Sequence, residues 1–336
     1  MEVPCIAVPR EDGEESRRAL ADAGVLDDDY QIVVDDGTLY IPVTDHDGVP
    51  DGFETTVRDL PAREGVQTPA DVLGFEPSLE RLGDVVILDE DDPDRAAEIA
   101  AAVLESDLPV RSVLNRASKI KGELRVRDWE LLAVDADAET DLAPTETVHR
   151  EYGHEFLVDL AAVYFSPRLA TERHRVVEGI EPGERVLDMF AGVGPFAVPA
   201  ATRGADVVAV DLNETAIEYL RENARRNGVS DNITAIAGDV RAVVDDYRGW
   251  ADRLVMNLPH SAGEFLETAV GLAGDDCVIH YYDIQHEDDP FGPGIEAIRA
   301  AAEPAYAVEV ETERVVRSYA PHELNVCLDV RLRRVG

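Results

Sequence analysis

Short apolar runs alternate with segments of helical periodicity from residue 166 to the end of the chain. Helices are predicted over 167–179, from Pro195 and over 214–227, and strands near 185–189, 206–211, 232–237, 252–257 and 276–282. Two more strands, near 308–314 and 324–333, flank a predicted loop at 318–323. This order predicts a Rossmann-like α/β domain with a mostly parallel seven-stranded sheet whose last pair is reversed. A ligand should lie at the carboxyl ends of its strands.

The first 162 residues have shorter periodic segments and predict two small α+β units. The elements expected in the first are a strand over 3–8, a helix over 11–23 and a hairpin over 30–43. Those expected in the second are strands over 83–88, 110–114 and 122–134, a helix over 95–105, an acidic loop at 135–145 and a hairpin over 147–160. We therefore expect domains at 1–62, 81–162 and 163–336, with a Pro- and Gly-containing linker at 63–80.

The segment 185–211 has the pattern of a nucleotide-binding strand, turn and strand. Its first strand leads into a glycine-rich turn, where Gly192 and Gly194 let the backbone pass close to a ligand that a Cβ would meet. Its second strand ends at Asp211, which is placed to accept hydrogen bonds from both hydroxyls of a ribose. The pattern predicts a cofactor that contains a nucleoside.

Two classes of cofactor fit this turn. Residues 192–197 match the G-x-G-x-x-G/A pattern of dinucleotide sites, which alone is a weak signal. Three features favour S-adenosyl-L-methionine instead. Asp188 precedes the turn, and a third strand ends at Asp239, within reach of an adenine amino group. A fourth strand ends in Asn257-Leu258-Pro259, a variant of the N-P-P motif of enzymes that methylate planar nitrogen.

The composition is strongly acidic, with 70 acidic and 31 basic residues and a formal net charge of −39. Because 45% of the residues are hydrophobic and periodic, we interpret this charge as adaptation of a folded, halophilic, cytoplasmic protein to high salt. Cys5, Cys277 and Cys327 are odd in number and far apart, which predicts neither disulfides nor a metal site. No apolar run has transmembrane length and the N-terminus has no signal-peptide pattern, so no membrane association is expected.

Positive charge is concentrated at 111–127, which contains the only two lysines of the chain. In so acidic a protein this strip predicts contacts with nucleic-acid phosphates, and a solvated basic face is the alternative. More basic residues flank the cofactor segment, at Arg168, Arg173, His174, Arg175, Arg314 and Arg317. The predicted RNA contacts are Arg111, Arg116, Lys119, Lys121, Arg314 and Arg317.

The chain resembles the archaeal tRNA (guanine-N1)-methyltransferases that act on guanosine 37, immediately 3′ to the anticodon. The segments that carry the resemblance are 149–151, 163–173, 186–195, 256–259, 280–282 and 318–321. The resemblance implies a class I methyltransferase that uses S-adenosylmethionine and acts on tRNA as a monomer, with no required protein partner. It further implies that the first domain docks on the outer corner of tRNA and the middle domain on the anticodon arm. His260 and a longer loop at 135–145 depart from the family pattern.

The chemistry at guanine N1 requires a base for its proton and a donor for the charge that builds on O6. The resemblance implies that Glu172 is this base and that Arg125 or Arg127 is the arginine partner, with the choice between them open. It also implies that Asn257 meets the base edge and that Pro259 shapes the slot. The alternative for Glu172 is a structural ion pair with Arg168 or Arg175. No role is assigned to His260.

The predicted cofactor pocket combines the turn with the ends of the neighbouring strands. Its residues are Tyr164, Arg168, Asp188, Phe190, Gly192, Gly194, Asp211, Leu212, Asp239 and Asn257. For Asp188 the alternative is to hold the turn by hydrogen bonds without touching the ligand.

Three other functions fit parts of the sequence. The nearest is a wybutosine-pathway transferase that moves the aminocarboxypropyl group of the same cofactor onto guanosine 37 of tRNA, and the Asn257-Leu258-Pro259 segment favours methyl transfer over it. An RNA-binding module with a vestigial cofactor site is disfavoured by the intact acidic residues of the pocket. An NAD-linked oxidoreductase is disfavoured because no group for hydride chemistry follows the turn.

Overall fold

The structure is a computed structural model that describes residues 2–50, 52–63, 65–122 and 124–336. The chain divides into two compact units, Met1–Thr68 and Pro69–Gly336. None of the helices within the described ranges has both the length and the apolarity that a membrane crossing needs.

The first unit is a four-stranded antiparallel sheet with one helix. Its elements are β1 (Glu2–Pro9), α1 (Gly13–Asp22), β2 (Val33–Asp35), β3 (Thr38–Pro42) and β4 (Glu54–Asp59), with strand order β2-β3-β1-β4. Asp36 and Gly37 form the two-residue turn between β2 and β3, both with positive φ, as the Asp-Gly pair predicts. Leu20 of α1 packs on Ile6 and Ile41, which gives this unit its own small core.

The second unit begins with a mixed four-stranded sheet followed by a hairpin. Its elements are α2 (Pro69–Leu73), β5 (Glu80–Leu82), β6 (Val85–Leu88), α3 (Pro93–Glu105), β7 (Ser112–Arg116), β8 (Trp129–Val134), β9 (Glu146–Glu151) and β10 (His154–Asp159). The sheet order is β5-β6-β7-β8, and α3 connects the parallel strands β6 and β7. The predicted linker at 63–80 therefore contains a helix and reaches the first residue of a strand. The strand predicted over 122–134 begins only at Trp129.

The remainder is the predicted seven-stranded α/β sheet. Its strands are β11 (Arg185–Asp188), β12 (Asp206–Asp211), β13 (Ile233–Ala237), β14 (Ala251–Met256), β15 (Ala273–His286), β16 (Tyr306–Ala320) and β17 (Glu323–Arg334). Its helices are α4 (Ala170–Glu178), α5 (Ala197–Thr202), α6 (Glu214–Arg226), α7 (Val244–Tyr247), α8 (Leu266–Leu272) and α9 (Gly292–Ala302). The order is β13-β12-β11-β14-β15-β17-β16, with β17 antiparallel to both of its neighbours. The predicted fold class is confirmed.

Three local predictions differ from the structure. The helix predicted over 167–179 is interrupted, because Pro167–Leu169 is a 3-10 turn before α4. The helix expected from Pro195 begins at Ala197. The loop expected at 318–323 is mostly strand, because β16 and β17 are long enough to leave only a two-residue turn between them.

The hairpin β9–β10 packs against the seven-stranded sheet through helix α6. The Asn223 side chain accepts a hydrogen bond from the backbone N–H of Leu157 at 2.7 Å, and that of Asn227 accepts one from Glu155 at 3.0 Å. Phe156 is fully buried in a core that also contains Val186 of β11. The hairpin therefore shares its core with the domain predicted to begin at 163.

Candidate functional site

A cavity of about 650 Å³ lies at the carboxyl ends of β11 to β14. Gly192, Asp211, Asp239 and Asn257, which follow or end these four strands, all line it. The strand order reverses at β11, because β12 pairs with one edge and β14 with the other. This is the position at which open α/β sheets bind their ligands.

Asp211 holds the glycine turn against the cavity. Its carboxylate accepts the backbone N–H of Gly192 at 2.7 Å and that of Asn213 at 2.9 Å. Gly192 and Gly194 have φ values of +52° and +88°, and a Cβ on Gly194 would lie 3.1 Å from Leu220. Burial raises the pKa of Asp211, and the two backbone donors oppose this shift. The turn needs both glycines and the carboxylate.

Asp188 lies behind the turn. It is 1% exposed, and its Oδ1 accepts the backbone N–H of Phe190 at 3.3 Å. Its Oδ2 is buried with no hydrogen-bond partner in the described ranges. Burial raises the pKa of this carboxyl to about 7, and the Asp211 carboxylate adds to the shift. Asp188 is not among the residues that line the cavity, which favours the turn-holding alternative.

The raised pKa of Asp188 predicts how Asp188→Asn changes stability with pH. The folded state holds this proton to about pH 7, whereas the ordinary pKa is 3.8. The wild-type stability from this group is therefore complete below pH 4 and is lost as the pH rises to 7, by at most about 4 kcal/mol. We expect the Asn variant to gain melting temperature relative to wild type across this window, measured by calorimetry at constant salt. Asp206→Asn, at an exposed position, is the matched control. A difference that does not vary with pH would contradict the expectation.

Four more predicted cofactor residues lie on the cavity wall. Phe190 contacts Phe265 edge-on, with ring centroids 5.0 Å apart, and Leu212 is half exposed. Asp239 is ion-paired with Arg241, whose hydrogen bonds lower the pKa of the Asp239 carboxyl. An adenine amino group would share Asp239 with this arginine. Tyr164 is the fourth residue.

The structure separates the two candidate arginines. Arg125 has a φ of +56° and places its guanidinium 5.3 Å from the centre of the Tyr164 ring, on the cavity wall. Arg127 lies over Trp129 in a second cavity of about 270 Å³, where burial and then Arg116 lower its pKa. Arg125 lines both cavities, and of the two arginines it is the one that reaches the cavity of about 650 Å³. Arg168 also lines only the second cavity, ion-paired with Glu80 at 3.0 Å.

Glu172 is buried, and both of its carboxylate oxygens have hydrogen-bond or ion-pair partners. Its two oxygens accept hydrogen bonds from Arg175 at 2.7 and 3.0 Å, and Tyr282 donates its hydroxyl at 3.0 Å. The Nε of Arg314 forms a further ion pair with Glu172 Oε2 at 3.0 Å. Glu172 therefore has the ion pair with Arg175 that the sequence offered as the alternative to a base role. It is not among the residues that line the cavity.

A buried charge network extends from Glu172 through Arg175 to Asp329, a residue that the sequence did not identify. Arg175 also contacts Asp329 at 2.6 Å, and Asp329 contacts His280 at 2.6 Å. Burial opposes ionisation of Asp329, but hydrogen bonds from His280 and Arg175 hold its pKa below the ordinary value. His280, Asp329 and Cys327 place donor atoms within 4.8 Å of one another. Because Arg175 lies against the same atoms, the charge there disfavours a cation.

The predicted RNA contacts have different surroundings. Arg111 is 5% exposed and donates to Asp84 at 3.1 Å and to the Glu146 carbonyl, so its guanidinium is not available to an RNA phosphate. Its burial under the 135–146 segment overturns that prediction. Arg116 is ion-paired with Glu80 and Asp89, and Lys121 with Asp128. Lys119 is exposed, Arg314 contacts Glu172, and Arg317 lines both cavities.

Several cavity residues were missed by the sequence analysis. They are His260, Phe265, Ile284, Tyr319 and Asn325. His260, to which no role was assigned, contacts the Tyr319 hydroxyl at 3.1 Å. Burial and then Arg125 lower the pKa of His260. Among these residues only Tyr319 lies in a segment that carries the family resemblance, 318–321.

The chain matches three protein-family models along its length. Residues 147–311 match the TRM5/TYW2 methyltransferase domain, residues 5–49 the tRNA methyltransferase 5 N-terminal domain, and residues 70–134 the TYW2 N-terminal domain.

Individual relatives match nearly the whole chain. The tRNA (guanine(37)-N(1))-methyltransferase Trm5b of Pyrococcus abyssi is 41% identical, over 97% of this chain and 98% of that protein. The tRNA(Phe) (4-demethylwyosine(37)-C(7)) aminocarboxypropyltransferase of Pyrococcus horikoshii is 33% identical, over 84% of this chain and 98% of that protein. A solved complex of aTrm5 and tRNALeu has a TM-score of 0.69 at 32% identity, covering 98% of this chain and 99% of that one.

Proposed function

This chain belongs to the TRM5/TYW2 methyltransferase family, and on that premise we propose that it methylates N1 of guanosine 37 in tRNA with S-adenosylmethionine as the donor. The observation that carries the proposal is the single cavity that joins the Asp211 turn to the segment Asn257-Leu258-Pro259. The first can hold a nucleoside cofactor and the second the edge of a planar base. Relatives named for this activity match the chain almost end to end.

The residues of the cavity fit the cofactor. Two glycines with positive φ leave the backbone of the turn open, and the Asp211 carboxylate still has lone pairs for ribose hydroxyls after binding Gly192 and Asn213. Phe190 and Leu212 supply apolar surface for the adenine. When bound, the cofactor supplies an electrophilic methyl group on a sulfonium. The turn would fix its position relative to Asn257.

The reaction also needs proton transfer at guanine N1. We propose Glu172 as the acceptor and Arg125, on the cavity wall, as the donor toward O6. The Arg175 contact fixes the orientation of the Glu172 carboxylate. The guanine must leave its stack and enter the cavity to reach Arg125, and it must displace a contact of the buried Glu172 to reach that carboxylate.

The proposed function is tested by incubating the purified protein with a tRNA transcript that has guanosine at position 37 and with labelled cofactor. Nucleoside analysis should find label in N1-methylguanosine at position 37. A mass increment of an aminocarboxypropyl group would instead assign the chain to the activity named for the Pyrococcus horikoshii relative. No incorporation, together with no cofactor binding by calorimetry, would favour an RNA-binding module with a vestigial cofactor site.

We propose the following setting for the activity. Residues 1–62 dock on the outer corner of tRNA, residues 81–162 contact the anticodon arm, and residues 163–336 carry catalysis. The chain works as a monomer without a protein partner in a halophilic, archaeal cytoplasm, because a net charge of −39 needs high salt to screen it. An activity maximum below physiological ionic strength would contradict the halophilic assignment.

Substitutions in the basic strip are expected to change the affinity for RNA without changing the affinity for the cofactor. In Lys119→Glu/Lys121→Glu, two cations become anions on an exposed segment. We expect tRNA affinity to fall about tenfold and the slope of log affinity against log salt to fall by about one for each lysine. Filter binding at several salt concentrations measures both.

The matched control for this pair is Arg225→Glu/Arg248→Glu. Both arginines are exposed and ion-paired three residues away, and the double variant makes the same change in charge. Equal loss of tRNA affinity in the two double variants would mean that 119–121 is only a solvated face.

A further inference from the structure

Asn325 is a buried amide on the cavity wall with an unused acceptor. It is 3% exposed, it lines the cavity, and its Oδ1 has no hydrogen-bond partner in the part of the chain that the structure describes. A buried polar atom without a partner is costly and uncommon. Because Asn325 lines a cavity, a ligand that enters the cavity and donates a hydrogen bond to this oxygen would remove the cost.

Arg317 stands beside Asn325 and has an unused donor. The two residues are direct cross-strand partners between β16 and β17, so their side chains lie on the same face of the sheet. The Nε of Arg317 is also buried without a hydrogen-bond partner among the described residues, and Arg317 lines the same cavity. The pair thus presents one free acceptor and one free donor, side by side.

The position of the pair is fixed by the candidate base and by the Asn257-Leu258-Pro259 segment. Cys327, two residues along β17 from Asn325, is paired with Tyr282, which donates to Glu172. Two residues along a strand span about 6.5 Å, so Asn325 lies about that distance along β17 from the Cys327–Tyr282 pair that contacts Glu172. Asn325 also pairs with Ile284 of β15, whose backbone N–H donates to the Pro259 carbonyl at 3.2 Å. Asn325 therefore lies at the end of the cavity where the target base would enter.

We propose that Asn325 selects guanine as the base to be methylated and that Arg317 helps to position that base, an inference that rests on the proposed function. Asn325 Oδ1 accepts a hydrogen bond from the exocyclic amino group, which inosine lacks. Arg317 Nε–H donates to a keto or ring-nitrogen acceptor, which guanine and inosine share. Neither residue takes part in proton transfer: Asn325 acts on the choice between guanine and inosine, and Arg317 acts on the binding of either base.

The test compares tRNA transcripts with guanosine or inosine at position 37, using kcat/KM for each. We expect the wild-type protein to prefer guanosine by tenfold or more, because inosine leaves the Asn325 acceptor unpaired. In Asn325→Leu, kcat/KM on guanosine should fall by that factor, and kcat/KM on inosine should stay the same. Asn325→Asp keeps an acceptor and should keep the preference. Arg317→Gln should slow both substrates by a similar factor.

The ratio of the two kcat/KM values does not depend on the fraction of protein that folds, so a destabilised variant still gives an answer. Arg333→Ala, exposed at the other end of the same strand pair, is the control and should leave the ratio unchanged. A wild-type ratio of one, or an equal loss on both substrates in Asn325→Leu, would overturn the inference. So would a loss of cofactor affinity in Asn325→Leu by calorimetry, since it would place Asn325 in the cofactor site. If the wild-type protein does not methylate guanosine 37 at all, the proposed function fails instead.

Discussion

Glu172→Gln is expected to slow methyl transfer by about 10²- to 10⁴-fold while cofactor affinity stays unchanged. The amide keeps the shape of the carboxylate, and its one oxygen can still accept hydrogen bonds from Tyr282 and from one nitrogen of Arg175. Its NH₂ group then faces the Nε–H groups of Arg175 and Arg314, and the amide cannot take the proton from guanine N1. Single-turnover rates with saturating tRNA measure the chemical step, and calorimetry measures cofactor binding.

Glu178→Gln is the matched control. Glu178 ends the same helix, is exposed, and contacts His174. It should transfer methyl groups at the wild-type rate. If Glu172→Gln also keeps the wild-type single-turnover rate, Glu172 is only the structural partner of its arginines.

The surroundings of Glu172 also indicate how a base could reach it. Of its charged partners, Arg314 is 44% exposed, whereas Arg175 is 26% exposed and is held by Asp329 as well. A guanine that approaches the carboxylate can replace the Arg314 contact with the least rearrangement. We therefore expect Arg175 to remain in place during the reaction.

Asp211→Asn is expected to weaken cofactor binding by about ten- to a hundredfold, because hydrogen bonds to a charged acceptor contribute about 1.5–3 kcal/mol. The effect has two sources. The amide loses the charge that ribose hydroxyls would meet, and it cannot accept from both Gly192 and Asn213 without turning an NH₂ toward one of them. Titration calorimetry with S-adenosylmethionine measures the affinity directly.

Asp206→Asn removes the same charge from the exposed first residue of the same strand and should bind the cofactor as wild type does. If Asp211→Asn also binds with wild-type affinity, the cofactor lies elsewhere and the assignment of the cavity is wrong. Loss of binding together with a lower melting temperature in the absence of cofactor would show that the turn itself has opened.

The elements that the sequence predicted well are those with local causes. Strands β11, β12 and β14 are apolar runs that end at a glycine turn, a carboxylate or an Asn-Leu-Pro segment. These signals lie within a few residues of the structure that they specify, so one strand and its turn can be read without the rest of the chain. The candidate cofactor residues of the turn and strand ends were accessible for this reason.

The parts that the sequence did not predict depend on distant residues. In the sequence Arg111 resembles a surface cation, but in the structure it contacts Asp84 and the carbonyls of Leu142 and Glu146. Asn325 carries no motif, and it faces the cavity only because β17 inserts between β15 and β16. Helical spacing offered the pair Glu172 and Arg175, but the contact with Arg314 depends on the same strand insertion.

The shared core of the second unit has a consequence for how this protein melts. Side chains from the β5–β8 sheet, the β9–β10 hairpin and the seven-stranded sheet form one continuous interior, with Leu114, Phe156 and Val186 among them. Sheets and hairpins that share one hydrophobic core lose it together, so heat should unfold them in a single cooperative transition. Ligand that binds only the folded form then protects the whole body. Cofactor occupancy at one sheet would thus slow amide hydrogen exchange in another, across strands that never touch the ligand.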